Sequence, residues 1–438
     1  MMDKMFSAMA VCLLASFFTL LYPAQLSAEE QVSPPSAARL LEVIVVKGAQ
    51  LPALLDKAMS NYSLMAVRHG KLVPIPYQFD DLNTGGRSYV KGGVLNVDGK
   101  AGIVEAIDEL VFMYKDMGVQ ASEALRAQSS GTVISELQIN DNNSVRYAYL
   151  VAGNPERSDK VYSHYDMNTG LVTAESYSLQ LDPDNLLILS DWIIKDFGDA
   201  SVPTNVLDTL KMRVKGKLGF SATVDNEEIP AKALAVKNGP VRTIVEADTS
   251  IRILGISIAS GTVSATFSAQ TIKYPVFITL PKAAGTLSSL AIDLTLDYVD
   301  FDGSRYRTAL GPKEPMITGT KQAATQRDLY KSDLANPWVS ISSGNNWDMF
   351  LIFSHQDNFK PTLNAIYRDA SAGDKAKKPE RFKGSNSEIG ISLSDIPVGI
   401  ETSLNYNFYF GAGLWQGDDV DETLDELMNP AVVSVKAL

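Results

Sequence analysis

Cysteine is almost absent: the single one, Cys12, falls inside an apolar N-terminal stretch. Past that stretch the chain has no thiol, which excludes disulfides, cysteine nucleophiles and thiolate-bound metals and suits an oxidising compartment. Histidine is nearly as scarce. His69, His164 and His355 stand far apart, and none has metal-ligand spacing. Positive charge is outnumbered, with 39 Lys and Arg against 51 Asp and Glu and a net charge of -12. That balance argues against nucleic acid or an anionic membrane surface as partner. No Gly-x-Ser-x-Gly, His-Glu-x-x-His or phosphate loop occurs, so the commonest hydrolase, zinc-protease and nucleotide-binding signatures are missing.

Long apolar runs are also lacking, except at the start. Lys4 precedes an apolar run over residues 6–21, and Ser27-Ala28 is followed by Glu29-Glu30. This pattern predicts a secretory signal peptide over residues 1–28, cleaved after Ala28, and no integral membrane segment after cleavage. The expected location is periplasmic or extracellular. Residues 29–37, with Pro34-Pro35, read as a flexible leader.

What the chain has in quantity is alternation. Leu210, Met212, Val214 and Leu218 alternate with Lys211, Arg213, Lys215 and Lys217, the period-two pattern of a half-buried strand. Ile272, Tyr274, Val276, Ile278 and Leu280 repeat it, as do Leu290, Ile292, Leu294, Leu296 and Tyr298, and near the end Leu404, Tyr406, Phe408 and Phe410. The fold class expected is mostly β: a small N-terminal β-sandwich over 38–155, a connecting segment over 156–204, and a larger antiparallel β-sandwich over 205–415. Residues 416–438 read as a short C-terminal helix and tail, with Asp418 or Asp419 as cap and Pro430 as stop.

Several stretches invite chemistry. Asn96-Val97-Asp98-Gly99, followed by Glu105, resembles part of a calcium loop, in which oxygen ligands alternate and a glutamate closes the shell. Val94 stands where the pattern needs a carboxylate, and Asp80, Asp81 or Asp108 would have to supply it. Calcium is therefore the one cofactor expected, against the plainer reading of an acidic turn. The cationic strand face Lys211, Arg213, Lys215 and Lys217 would suit a uronic-acid chain or a phosphate; the plainer reading is a solvated face paired across strands with Asp293 and Asp297.

The catalytic candidates are His164 with Tyr165, and His355 with Asp357, since a histidine beside a tyrosine suits a polysaccharide lyase. Neighbouring strand residues point to opposite faces, however, which counts against the first pair. Asp300, Asp302 and Asp348 would be the carboxylates of a glycosidase. Trp347, in Gly344-Asn345-Asn346-Trp347-Asp348, is the tryptophan expected to be exposed and to stack on a sugar ring.

Three segments carry a resemblance: residues 74–81 (Pro-Ile-Pro-Tyr-Gln-Phe-Asp-Asp) with Asp98-Gly99, residues 108–113 (Asp-Glu-Leu-Val-Phe-Met), and Gly239-Pro240-Val241-Arg242. Together they resemble a pattern in uncharacterised secreted bacterial β-sandwich proteins. That group has no established activity, so no functional residue is carried over. The reading that results is an exported, non-catalytic protein binding a glycan or cell-envelope component. The alternatives are a carbohydrate-active lyase or hydrolase, and a structural partner in envelope assembly.

Overall fold

A computed structural model describes residues 34–141, 144–195, 204–299, 302–311, 313–320, 330–332, 337–344, 347–375 and 387–438. The expected signal peptide and most of the leader lie outside these. The end of the leader is ordered: Ser36 caps a short helix, Ala37–Leu40, accepting from the Arg39 amide at 3.2 Å.

The molecule is mostly β, and its alternating strands form two large antiparallel sheets. The nine-stranded sheet runs Ala233–Asn238, Thr243–Ile253, Ile256–Phe267, Thr271–Leu280, Ile400–Gly411, Asp348–His355, Trp338–Ser342, Arg305–Thr308, Met316–Ile317. The six-stranded sheet runs Phe220–Asp225, Leu207–Leu218, Ser289–Tyr298, Ser387–Ser394, Thr362–Arg368, Tyr330–Ser332. Their apolar faces meet in one core, which holds Ile292, Leu296, Ile391 and Leu393 from one sheet and Val245, Phe267, Leu351 and Phe408 from the other. Register fixes this, since a one-residue slip would turn each apolar set outward.

The segment expected to be a connection is a sheet in its own right. Ser163–Asp166, Leu171–Ala174, Tyr177–Asp182, Asn185–Ile194 and Thr204–Asn205 pair in sequence order. Trp192 packs edge-on against Phe410 at 5.0 Å, and Tyr177 does so at 4.8 Å. The alternation of Tyr177, Leu179 and Leu181 buries one face of this sheet in the main core.

The N-terminal unit pairs a three-stranded sheet (Val43–Lys47, Glu109–Met113, Tyr77–Asp80) with a five-stranded one. In the latter, Thr132–Asp141, Ser144–Ala152, Tyr62–Arg68 and Lys71–Pro74 follow an outermost strand, Val433–Ala437, from the far end of the chain. The expected tail is therefore a strand, with Val433 opposite Ile139 and Ala437 opposite Ser135. Val433 enters the same core as Ile44, Leu64, Phe112 and Leu150, which is the physical reason the end is held. The C-terminal helix is Asp421–Met428; its cap is Val420 and not the expected Asp418 or Asp419, although Asp419, one residue earlier, accepts from the Asp421 amide at 2.9 Å. His69 and Gly70 turn the hairpin between Tyr62–Arg68 and Lys71–Pro74 with φ of 49° and 71°, the left-handed conformations such a tight turn requires. Among the described residues no helix is long and apolar enough to cross a membrane.

Candidate functional site

Half of the cationic strand face is buried. Lys211 and Arg213 are each 1 % exposed. Lys211 Nζ lies 2.7 Å from Asp297 and 3.8 Å from Glu388, while Arg213 and Arg368 reach Glu388 at 3.5 and 3.2 Å. Lys215 pairs with Asp293, which also accepts from the Ser392 hydroxyl at 2.6 Å. Antiparallel register creates this layer, setting Arg213 against Asp293 and Asp297 against Glu388. Burial pushes the Asp297 carboxyl up to about 6, against the pull of Lys211. Burial would also raise Glu388, but Arg213, Arg368 and Lys211 together hold it below the usual carboxylate range. Buried charges need such partners, so the expected ligand cations Lys211 and Arg213 serve inside the sheet; only Lys217 is exposed. The cross-strand carboxylates Asp293 and Asp297 were legible in sequence; Glu388 and the burial of the whole layer were not.

The acidic loop is similarly committed. Asp80 is 1 % exposed and lies 2.7 Å from Lys237 and 2.8 Å from Arg242. Asp81 accepts from the Gly102 amide at 2.8 Å, Asp98 from the amide and hydroxyl of Thr84, and Glu105 from the Lys100 amide at 3.2 Å. Asp108 accepts from the amides of Leu82 and Glu105 at 2.9 and 2.7 Å. Asn96 is exposed. Among the described residues no three His, Cys, Asp or Glu side chains converge so as to hold a metal ion. The ligand-like spacing instead serves turns, with Gly92, Gly99 and Gly102 at φ of 90°, 84° and 78°.

The catalytic candidates lie apart. His164 is exposed, whereas Tyr165 beside it is buried, as alternation requires. His355 sits with Nδ1 3.0 Å from the Gln356 carbonyl and its ring against Phe353 and Phe359; Asp357 is exposed. Asp348 is buried, and its carboxylate accepts from the Trp415 amide at 3.0 Å. Asp300 lies outside the described residues. Trp347, expected to be exposed, is 8 % exposed and belongs to the main core, because Trp347 is held at the edge of Asp348–His355 by its carbonyl, which accepts from the Ser343 amide and hydroxyl at 3.0 and 2.8 Å.

A different feature stands out, between the two large sheets. They do not close on one another along their whole length. Leu210, Met212, Ile292 and Leu294 from the six-stranded sheet face Tyr274, Val276, Leu404 and Tyr406 from the nine-stranded one across a cavity of about 110 Å³. Leu186, Leu187 and Leu189 of the five-stranded sheet also line it. Leu187, Leu210, Met212, Leu294, Tyr274 and Tyr406 all remain half-buried although they point inward. No charged side chain lines the cavity. Dense packing is the rule for protein interiors, so a gap of this kind is a candidate ligand site. Sequence offered no sign of it, since an inward apolar strand face reads alike whether it meets a partner or a void.

No family model matches the chain, and no curated protein matches it. Among solved structures, it is similar to an alpha-mannosidase from Enterococcus faecalis V583, at 10% identity and a TM-score of 0.46, over 92% of this chain and 45% of that one. It is also similar to a GalM/aldose epimerase homologue from C. elegans, at 11% identity and a TM-score of 0.35, over 54% of this chain and 96% of that one. A putative aldose 1-epimerase from Escherichia coli K12 matches at 7% identity and a TM-score of 0.30, over 58% and 99% of the two chains.

Proposed function

We propose that this is an exported, non-catalytic binding protein that takes up a cell-envelope component through its large sandwich, and that the part it holds is an apolar chain. The observation that supports this is the uncharged cavity between the two large sheets, lined by aliphatic and aromatic side chains. An apolar cavity stays dry and favours apolar guests; an engineered one of about 150 Å³ binds benzene. A guest would cover the apolar surface that the half-buried lining residues leave open, at about 25 cal/mol per Å².

A bare glycan fits this site poorly, because sugar recognition needs convergent polar groups around an exposed aromatic ring. The enzyme reading needs an acid and a base within reach of one substrate atom; none of His164, His355 and Asp348 lines the cavity, and His355, which stands opposite the lining residue Leu404, has its Nδ1 against the Gln356 carbonyl. The test is a direct one. Protein purified without detergent is extracted with organic solvent and the extract examined by mass spectrometry, while N-phenyl-1-naphthylamine fluorescence is titrated against the protein. Co-extracted lipid and saturable dye binding are expected. Absence of both, with saturable binding of an oligosaccharide instead, overturns the reading.

A further inference from the structure

The cavity has few polar atoms, and they are placed unevenly. Tyr274 and Tyr406 are directly opposed in register on neighbouring strands, so their side chains stand side by side on the inner face. Their rings are held at their edges or at a tilt: Tyr274 lies 6.2 Å from Phe267 and 6.4 Å from Phe408, and Tyr406 lies 4.9 Å from Phe353. Among the described residues neither hydroxyl has a hydrogen-bond partner. The Thr249 hydroxyl, which also borders the cavity, is buried without a partner. Buried hydroxyls are normally satisfied, so Thr249 is an exception, while the two tyrosine hydroxyls remain open to a partner entering the cavity. Ile278 lies four residues along the strand from Tyr274 and lines the same cavity, so the apolar part runs for about 13 Å beyond the tyrosines.

Resting on the reading of the cavity as a chain-binding site, we infer that Tyr274 and Tyr406 are its specificity determinants and that they select an aliphatic chain carrying a neutral carbonyl, an ester or ketone, over a free carboxylate or a plain hydrocarbon. Two phenol hydroxyls can both donate to the lone pairs of one carbonyl oxygen. A carboxylate would enter with no cation to meet it, which is a costly burial. Burial, with the nearby Tyr165 adding to it at Tyr274, pushes both phenols above their ordinary range, so they remain protonated donors.

Displacement of N-phenyl-1-naphthylamine by methyl decanoate, decane and decanoate at pH 8 tests this. The wild-type protein should bind methyl decanoate most tightly. The double variant Tyr274→Phe/Tyr406→Phe keeps both rings, and should lose about tenfold in affinity for methyl decanoate while binding decane as before. Each single variant, with its thermal melt recorded, guards against misfolding. Unchanged methyl decanoate affinity in the double variant, or equal losses for ester and alkane, overturns the role of the tyrosines and leaves the cavity reading standing. No binding of the dye or of any of the three chains by the wild-type protein overturns both.

Discussion

Gln78 lies so close to Gly239 that a Cβ on the glycine would come within 2.1 Å of the glutamine's Oε1. That oxygen accepts from the amides of Val241 and Arg242, at 3.1 and 2.9 Å. Arg242 in turn reaches Asp80 at 2.8 Å and Glu109 at 2.6 Å. Residues 74–81, 108–113 and 239–242, which carry most of the resemblance described above, thus meet at one place. They bind the three-stranded sheet to the turn between Ala233–Asn238 and Thr243–Ile253. Their common role is to join the N-terminal unit to the large sandwich.

Substituting Gly239→Ala should therefore force Gln78 or the turn aside. A loss of about 1–3 kcal/mol is expected from the overpacking, read from the urea midpoint.

Arg242→Met should cost more, because it strips two inward-facing carboxylates of their shared partner. Breaking a buried pair from one side typically costs about 3–5 kcal/mol. Glu109 keeps Lys47 at 2.6 Å and Asp80 keeps Lys237, so the lower end of that range is expected in chemical denaturation.

The same joint makes stability depend on pH. Burial would raise Asp80 and Glu109, but Arg242, helped by Lys237 and Lys47, outweighs it and holds both below their ordinary values. A depressed folded pKa gives stability that is fully present above the unfolded value, about 4 for these groups, and is lost as pH falls through the folded one. Asp297 has the opposite sign. Raised to about 6, it favours the folded state at low pH, and that advantage fades as pH climbs from about 4 to 6. Denaturation midpoints from pH 2 to 7 should show both slopes, with Arg242→Met flattening the acid limb and Asp297→Asn the limb between pH 4 and 6.

Calcium should leave the melting curve where it is in chelator, because Asp80, Asp81, Asp98, Glu105 and Asp108 are each taken up by separate amides or cations. A rise in melting temperature in millimolar calcium would show that the loop rearranges around the ion.

Filling the cavity should separate binding from folding. Leu294→Trp places a large ring in the gap, and is expected to abolish dye binding while changing the melting temperature by only a few degrees.

Much of this architecture was legible in the sequence. The period-two runs through Leu210, Ile272, Leu290 and Leu404 became strands of the two large sheets, as alternation demands. The layer around Lys211 was half legible: Asp293 and Asp297 follow from antiparallel pairing, but Glu388 lies on a strand far along the chain, and an alternating charged face reads the same under solvent as under protein. Trp347 misled because Asn345 and Asn346 signal a turn, and a turn beside a long strand can still lay its tryptophan on the core. The cavity was not legible, because its existence depends on the spacing between two sheets and not on the pattern within either.

The pairing of Val433–Ala437 with Thr132–Asp141 bears on the order of events at birth. Synthesis runs from low residue numbers to high, yet the N-terminal sheet lacks its outer strand until residues 433–437 have left the ribosome. Until then the edge at Thr132–Asp141 stays open, a template for pairing with other chains. Domain-by-domain folding during synthesis is thus closed to the first unit, which is finished only after the strands of the large sandwich have been made.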